Sequence, residues 1–191
     1  MKIAAFVSLL VLAVGTAHAQ AIYPVGFRYQ ATTLAPGGSV KSCGIRFLGL
    51  GTTPRGSTKE IDVVDASIGV HSDGYSVVKA GYTIGDLTNP AAGQSRSTGA
   101  RVQWVRVGDS APMAANGKAT PGDDKDFYLY VNPLENGFEA LKGLLEGKRI
   151  RVAFDMGNSR ELIFSGQTPL DEETKTQFID CFRQLTTDSK K

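Results

Sequence analysis

Only two cysteines occur in the 191 residues, Cys43 and Cys181, and their surroundings limit how the chain can fold. Cys43 shares an alternating phase with Ile45 and Phe47, the pattern of one strand face. Phe178, Cys181, Phe182 and Leu185 recur at i, i+3, i+4 and i+7, the inner stripe of a helix. Both thiols therefore point toward a core, one from an early strand and one from the final helix. An oxidising compartment favours a bond between them. That bond would close a loop of nearly the whole domain, and the chain-entropy relation sets its stabilising effect at up to about 5 kcal/mol. With no Cys-x-x-Cys spacing, the pair reads as structural and not as a redox centre.

The N-terminus supplies the compartment. Lys2 precedes an apolar run from Ile3 to Val14, and Ala17 and Ala19 stand at −3 and −1 before Gln20, so residues 1–19 read as a secretory signal peptide. The run is too short for a membrane-spanning helix, which needs roughly 20 apolar residues. The expected product is one secreted or periplasmic domain, residues 20–191, with no stable membrane insertion. Its charge is nearly balanced, since 21 Lys and Arg, Lys2 among them, face 19 Asp and Glu. That balance implies neither nucleic acid nor an anionic membrane surface as partner.

Runs of β-branched and aromatic residues broken by Gly, Pro, Asn and Asp predict strands near 43–50, 60–70, 75–84, 100–107, 125–131, 149–155 and 160–165. The apolar phase slips between Val63 and Val64, which predicts a β-bulge there. In the fifth segment Phe127, Leu129 and Val131 are expected inward, with Tyr128 and Tyr130 outward. Two helix starts share one device: Asn132-Pro133-Leu134-Glu135 and Thr168-Pro169-Leu170-Asp171, each with a capping residue and proline at N1. Phe138, Leu141 and Leu145 mark the apolar stripe of the first helix, which Gly137 and Gly143 weaken. The tail after Leu185 reads as frayed. The fold class expected is α+β: a mainly antiparallel curved sheet or sandwich of about seven strands, with two helices in the C-terminal third. Segments 85–99 and 108–124 are long links flanking the strand around Trp104; if that strand pairs with its neighbours as a meander, the links emerge at opposite ends of the sheet and cannot form one site together.

Few catalytic constellations can be read. His71-Ser72-Asp73-Gly74 holds triad residue types, but adjacent turn positions cannot assemble a triad, and Asp73-Gly74 reads as a hairpin turn. Histidine and cysteine are too scarce for a zinc or copper site, and no phosphate-cradling glycine motif occurs, so no metal or cofactor is expected. Asp123, Asp124 and Asp126 lack EF-hand spacing. Asp62, Asp65, Glu135 and Glu161 are the acids from which a carboxylate-based hydrolase would draw its pair.

One surface pattern does point to recognition. Arg101 and Arg106 flank Trp104, the sole tryptophan, and Arg149 and Arg151 with Lys148 make a positive strand face. Arg, Trp and Tyr are enriched at interface hot spots. Trp104, Arg101, Arg106, Tyr128, Tyr130, Arg149 and Arg151 are thus the expected partner-binding residues of a non-catalytic domain acting on another protein or an envelope component. The competing expectations are an inhibitor or immunity protein of a toxic enzyme, the small hydrolase, and a carrier with an apolar cavity.

Overall fold

A computed structural model describes residues 19–53, 60–86, 88, 95–114, 120–121, 127–157 and 160–188. The expected signal peptide, apart from Ala19, lies outside these residues, as do the middles of both long links and Asp123, Asp124 and Asp126.

In chain order the strands are β1 (Ala19–Leu34), β2 (Ser42–Thr52), β3 (Glu60–His71), β4 (Tyr75–Asp86), β5 (Ser95–Ser97), β6 (Arg101–Val107), β7 (Thr120–Pro121) and β8 (Phe127–Pro133). Then come α1 (Leu134–Leu145), β9 (Ile150–Asp155), β10 (Glu161–Gly166) and α2 (Glu172–Asp188). The α+β class holds, with both helices in the C-terminal third. Strand order across the sheet is β6-β9-β10-β1-β2-β3-β4-β8-β7, with β5 also on β4. All pairs are antiparallel except β1 with β10.

β1 is the element that the sequence pattern conceals. Pro24 and Gly26 interrupt its alternation, and its pairing with β2 shifts register between them. Its first four residues pair with β10 and the rest with β2, so this one strand joins the C-terminal hairpin to the N-terminal meander. The sheet then curls into a half-barrel. Tyr130 on β8 reaches across and donates its hydroxyl to the Val102 carbonyl on β6 at 2.9 Å. Met113 pairs with Val105 through two backbone bonds, so the outer edge of β6 is covered. β6 therefore pairs with β9 and not, as a meander would require, with its sequence neighbours.

The concave face buries Ile45, Phe47, Val64, Ile68, Val78, Val105, Phe154 and Phe164. Both helices close the end where Cys43, Val70 and Ser76 lie in register. Phe138 and Phe182 meet edge to face at 5.5 Å between them. Cys43 and Cys181 are disulfide-bonded with a Cα–Cα distance of 5.8 Å, which pins α2 to β2. Phe178, Cys181 and Leu185 form the buried stripe of α2 as expected.

Six local expectations are corrected. β3 has no bulge: its register is unbroken, and the apolar phase slips because Asp62 occupies an inner position, 3% exposed, where it accepts a hydrogen bond from the Tyr82 hydroxyl. β8 has the opposite phase, since Tyr130 is 5% and Val131 57% exposed. The reason is register, because Tyr130 pairs with the inward Val78 and its hydroxyl is needed at the β6 edge. The buried stripe of α1 is Gly137, Ala140, Leu141 and Leu144, while Phe138 is partly exposed. Its glycines permit contact: a Cβ on Gly137 would stand 2.3 Å from the Ser76 Cβ, and one on Gly143 2.8 Å from a Val107 methyl.

The caps differ too. The Asn132 side chain accepts a bond from the Ala114 N–H instead of capping α1. Asp171, not Thr168, caps α2 through the Thr174 N–H at 2.7 Å. At its far end α2 runs on to Asp188, whose carboxylate accepts from the Val40 N–H at 3.1 Å. The first three residues of the expected tail, Thr186 to Asp188, are therefore helical, and the chain is tied down at Asp188.

Candidate functional site

A β-bulge builds the most distinctive surface. Between Val102 and Trp104 the pairing of β6 with β9 shifts by one residue. Val102, Val105 and Val107 are all buried, although 102 and 105 differ in parity. The extra residue lets Arg101 and Gln103 before the slip, and Trp104 and Arg106 after it, all take the outer side. An unbroken strand would have sent either Val102 inward or Trp104 and Arg106 outward, but not both.

The registers of β6, β9 and β10 then stack the outward side chains in three rows. Arg101, Asp155 and Glu161 form the first; Trp104, Ala153 and Ile163 the second; Arg106, Arg151 and Ser165 the third. Ala153, flanked by Trp104 and Ile163, is fully buried on this outer side. The Arg106 guanidinium lies over the Trp104 ring at 5.8 Å, a cation–π contact. Arg151 donates from Nη2 to the Gly108 carbonyl at 3.2 Å, which fixes its fork.

The third row is electrostatically incomplete. Like charges directly opposed across two strands destabilise a sheet, and Arg106 opposes Arg151. Among the described residues no carboxylate pairs with either. Both Nε atoms are shut from solvent and have no hydrogen-bond acceptor among the described residues. A buried donor left unsatisfied costs about 1–3 kcal/mol. The fold accepts these costs on one face while pairing other cations: Arg46 with Asp65, Arg96 with Glu60, and Lys148 with Glu146.

Of the expected binding residues, the structure brings together Trp104, Arg106 and Arg151. Arg101 sits two rows away beside Asp155, and Arg149 is exposed at the mouth of β9, its carbonyl accepting from the Gly108 N–H. Tyr128 and Tyr130 are removed from this surface, because they sit on the inner side of β8 opposite Ala80 and Val78. Burial pushes the Tyr130 hydroxyl above its ordinary value. Sequence reasoning missed Ala153, Ile163 and Ser165. The signal for the bulge was present, as valines at 102, 105 and 107, but the slip was assigned to β3.

The four acids named for a hydrolase are spread over β3, α1 and β10. Asp62 and Asp65 lie on opposite sides of β3, Asp65 bonded to Arg46 and Asp62 to Tyr82. Glu135 opens α1, and Glu161 stands across from Asp155 on β10. His71 stacks on Tyr75 at 4.6 Å and accepts from the Asp73 N–H, at the hairpin turn that Gly74 closes with a φ of 83°. Among the described residues, no three His, Cys, Asp or Glu side chains gather where they could hold a metal ion. An open groove of about 380 Å³ runs between α1 and the turn after β6, lined by Asp109, Glu135, Glu139 and Lys148 among others. No described helix is long and apolar enough to cross a membrane. Comparison with protein-family models, with curated proteins and with solved structures finds no match to this chain.

Proposed function

We propose that this protein is a non-catalytic binding domain, exported to an oxidising compartment, that engages another protein or an envelope component through the outer side of β6, β9 and β10. One observation carries the reading. Arg106 and Arg151 are held side by side, with no carboxylate partner among the described residues, next to a partly buried tryptophan. An opposed cation pair with unsatisfied donors costs stability, and Arg and Trp are among the residue types enriched at interface hot spots. The Cys43–Cys181 bond supports an extracytoplasmic site of action, and the pattern of residues 1–19 supports export by a cleaved signal peptide. The bonded scaffold would hold the three rows in one geometry, which lowers the ordering cost of association.

Affinity capture tests this reading. Oxidised protein is immobilised and exposed to envelope extract of its own organism, beside Trp104→Ala and Arg106→Ala variants with unchanged circular dichroism. A stoichiometric partner retained by the parent and lost from both variants is the expected result. A partner retained equally by all three would place the binding surface elsewhere.

A further inference from the structure

We infer that the Arg106–Arg151 pair seats a carboxylate belonging to an extended acidic segment of a protein partner, with an apolar residue two positions along that segment lying on the Trp104–Ala153–Ile163 row. This rests on the outer side of β6, β9 and β10 being the binding surface, and it names the chemistry of what binds there.

Three features lead to this occupant. The first is charge: two guanidiniums face each other across β6 and β9 with Lys148 and Arg149 at the same end, and although Glu146, Asp109 and Glu139 act on Lys148, no carboxylate among the described residues pairs with Arg106 or Arg151. The second is orientation. Arg151 is fixed by the Gly108 carbonyl and Arg106 by the Trp104 ring, so both forks are set before a ligand arrives. Arginine forks of this kind match the planar geometry of a carboxylate, and the Ser165 hydroxyl completes the row as a neutral donor. The third is the neighbouring row. Adjacent rows on a strand face are about 7 Å apart, the distance from residue i to i+2 of an extended chain. A bare oxyanion has no use for an apolar strip at that spacing, whereas an acidic segment in extended form places its second side chain there.

The test follows the Arg106 and Arg151 Nε–H signals and the Trp104 indole N–H signal by NMR in the oxidised protein. The probes are three capped synthetic pentapeptides, Thr-Asp-Thr-Leu-Thr, Thr-Asn-Thr-Leu-Thr and Thr-Asp-Thr-Ser-Thr, together with inorganic phosphate. The Asp–Leu peptide is expected to move all three signals with one shared affinity. The Asn peptide should bind about tenfold more weakly or worse, the loss of a hydrogen-bonded charge. The Ser peptide should leave the Trp104 signal in place, and Arg151→Gln should abolish the response to every peptide. Equal binding of the Asp and Asn peptides would overturn the carboxylate seat. Phosphate moving the arginine signals as far as the peptide does, with Trp104 unmoved by any peptide, would overturn the acidic segment in favour of a small oxyanion. No response to any probe overturns this inference alone, because a Trp104-dependent partner in the capture experiment would still support the binding surface.

Discussion

At the first turn of α2 the Asp171 carboxylate accepts the Thr174 N–H at 2.7 Å and the Thr174 hydroxyl at 2.9 Å. The backbone bond first, and the hydroxyl bond after it, hold this carboxyl below the ordinary aspartate range. An acid with a depressed folded-state pKa contributes stability above its unfolded-state value, and that contribution disappears as pH falls through the folded-state value. Asp171→Ala should therefore lower the thermal midpoint at pH 7, and the gap from the parent should close as the pH is taken below the ordinary aspartate range. Asp171→Asn keeps a capping oxygen and should recover much of the loss, with no acid-dependent component. Thermal scans of the three proteins between pH 2 and 7 check this; a pH-independent gap would mean that the carboxylate charge plays no part. The same scale shows what can be read from residues alone. Trp104, Arg106 and Arg151 were legible as a group because arginine and tryptophan alternate with valine. Tyr130 was misread because tyrosine and the aliphatic residues are both acceptable inside a sheet, and only the position of a remote carbonyl decides between them.

Elements were legible where one side of them is uniformly apolar. β2, β4, β9 and α2 have that property, and their periodicity locates them directly. β1 does not, since Pro24 and Gly26 fall where it changes partner, and a strand that serves two neighbours need not keep one phase. α1 was placed along the chain but rotated, because the large side chains of Phe138 and Leu145 outweigh Gly137 and Gly143 in any count of apolar residues. Packing selects the glycines instead. Helix propensity favours Gly137→Ala by about 1 kcal/mol. Steric overlap with the Ser76 Cβ, held in β4, opposes it by about 1–3 kcal/mol. The overlap should win, with a lower urea midpoint for Gly137→Ala than for the parent. An increase would mean that α1 can lift from the sheet at little cost.

Across the whole molecule, the disulfide ties the last helix to an early strand and thereby encloses most of the chain. Cys43→Ser and Cys181→Ser should each lose the same stability, up to about 5 kcal/mol by the chain-entropy relation, and the double variant should be no worse than either. Equal urea midpoints for the three variants are the expected result; an additive loss would mean that the thiols contribute separately. Two regions of the sheet's outer side can be compared: the three rows of β6, β9 and β10, and the outward residues of β8 around the exposed Val131. A photoreactive side chain placed at Gln103, exposed at the bulge, and separately at Val131 compares them in living cells of the source organism. The binding-surface account predicts a crosslinked partner from position 103 that is lost when Arg106 and Arg151 are changed to Gln, and none from position 131. Crosslinking from 131 alone, or from 103 without dependence on the two arginines, would contradict it.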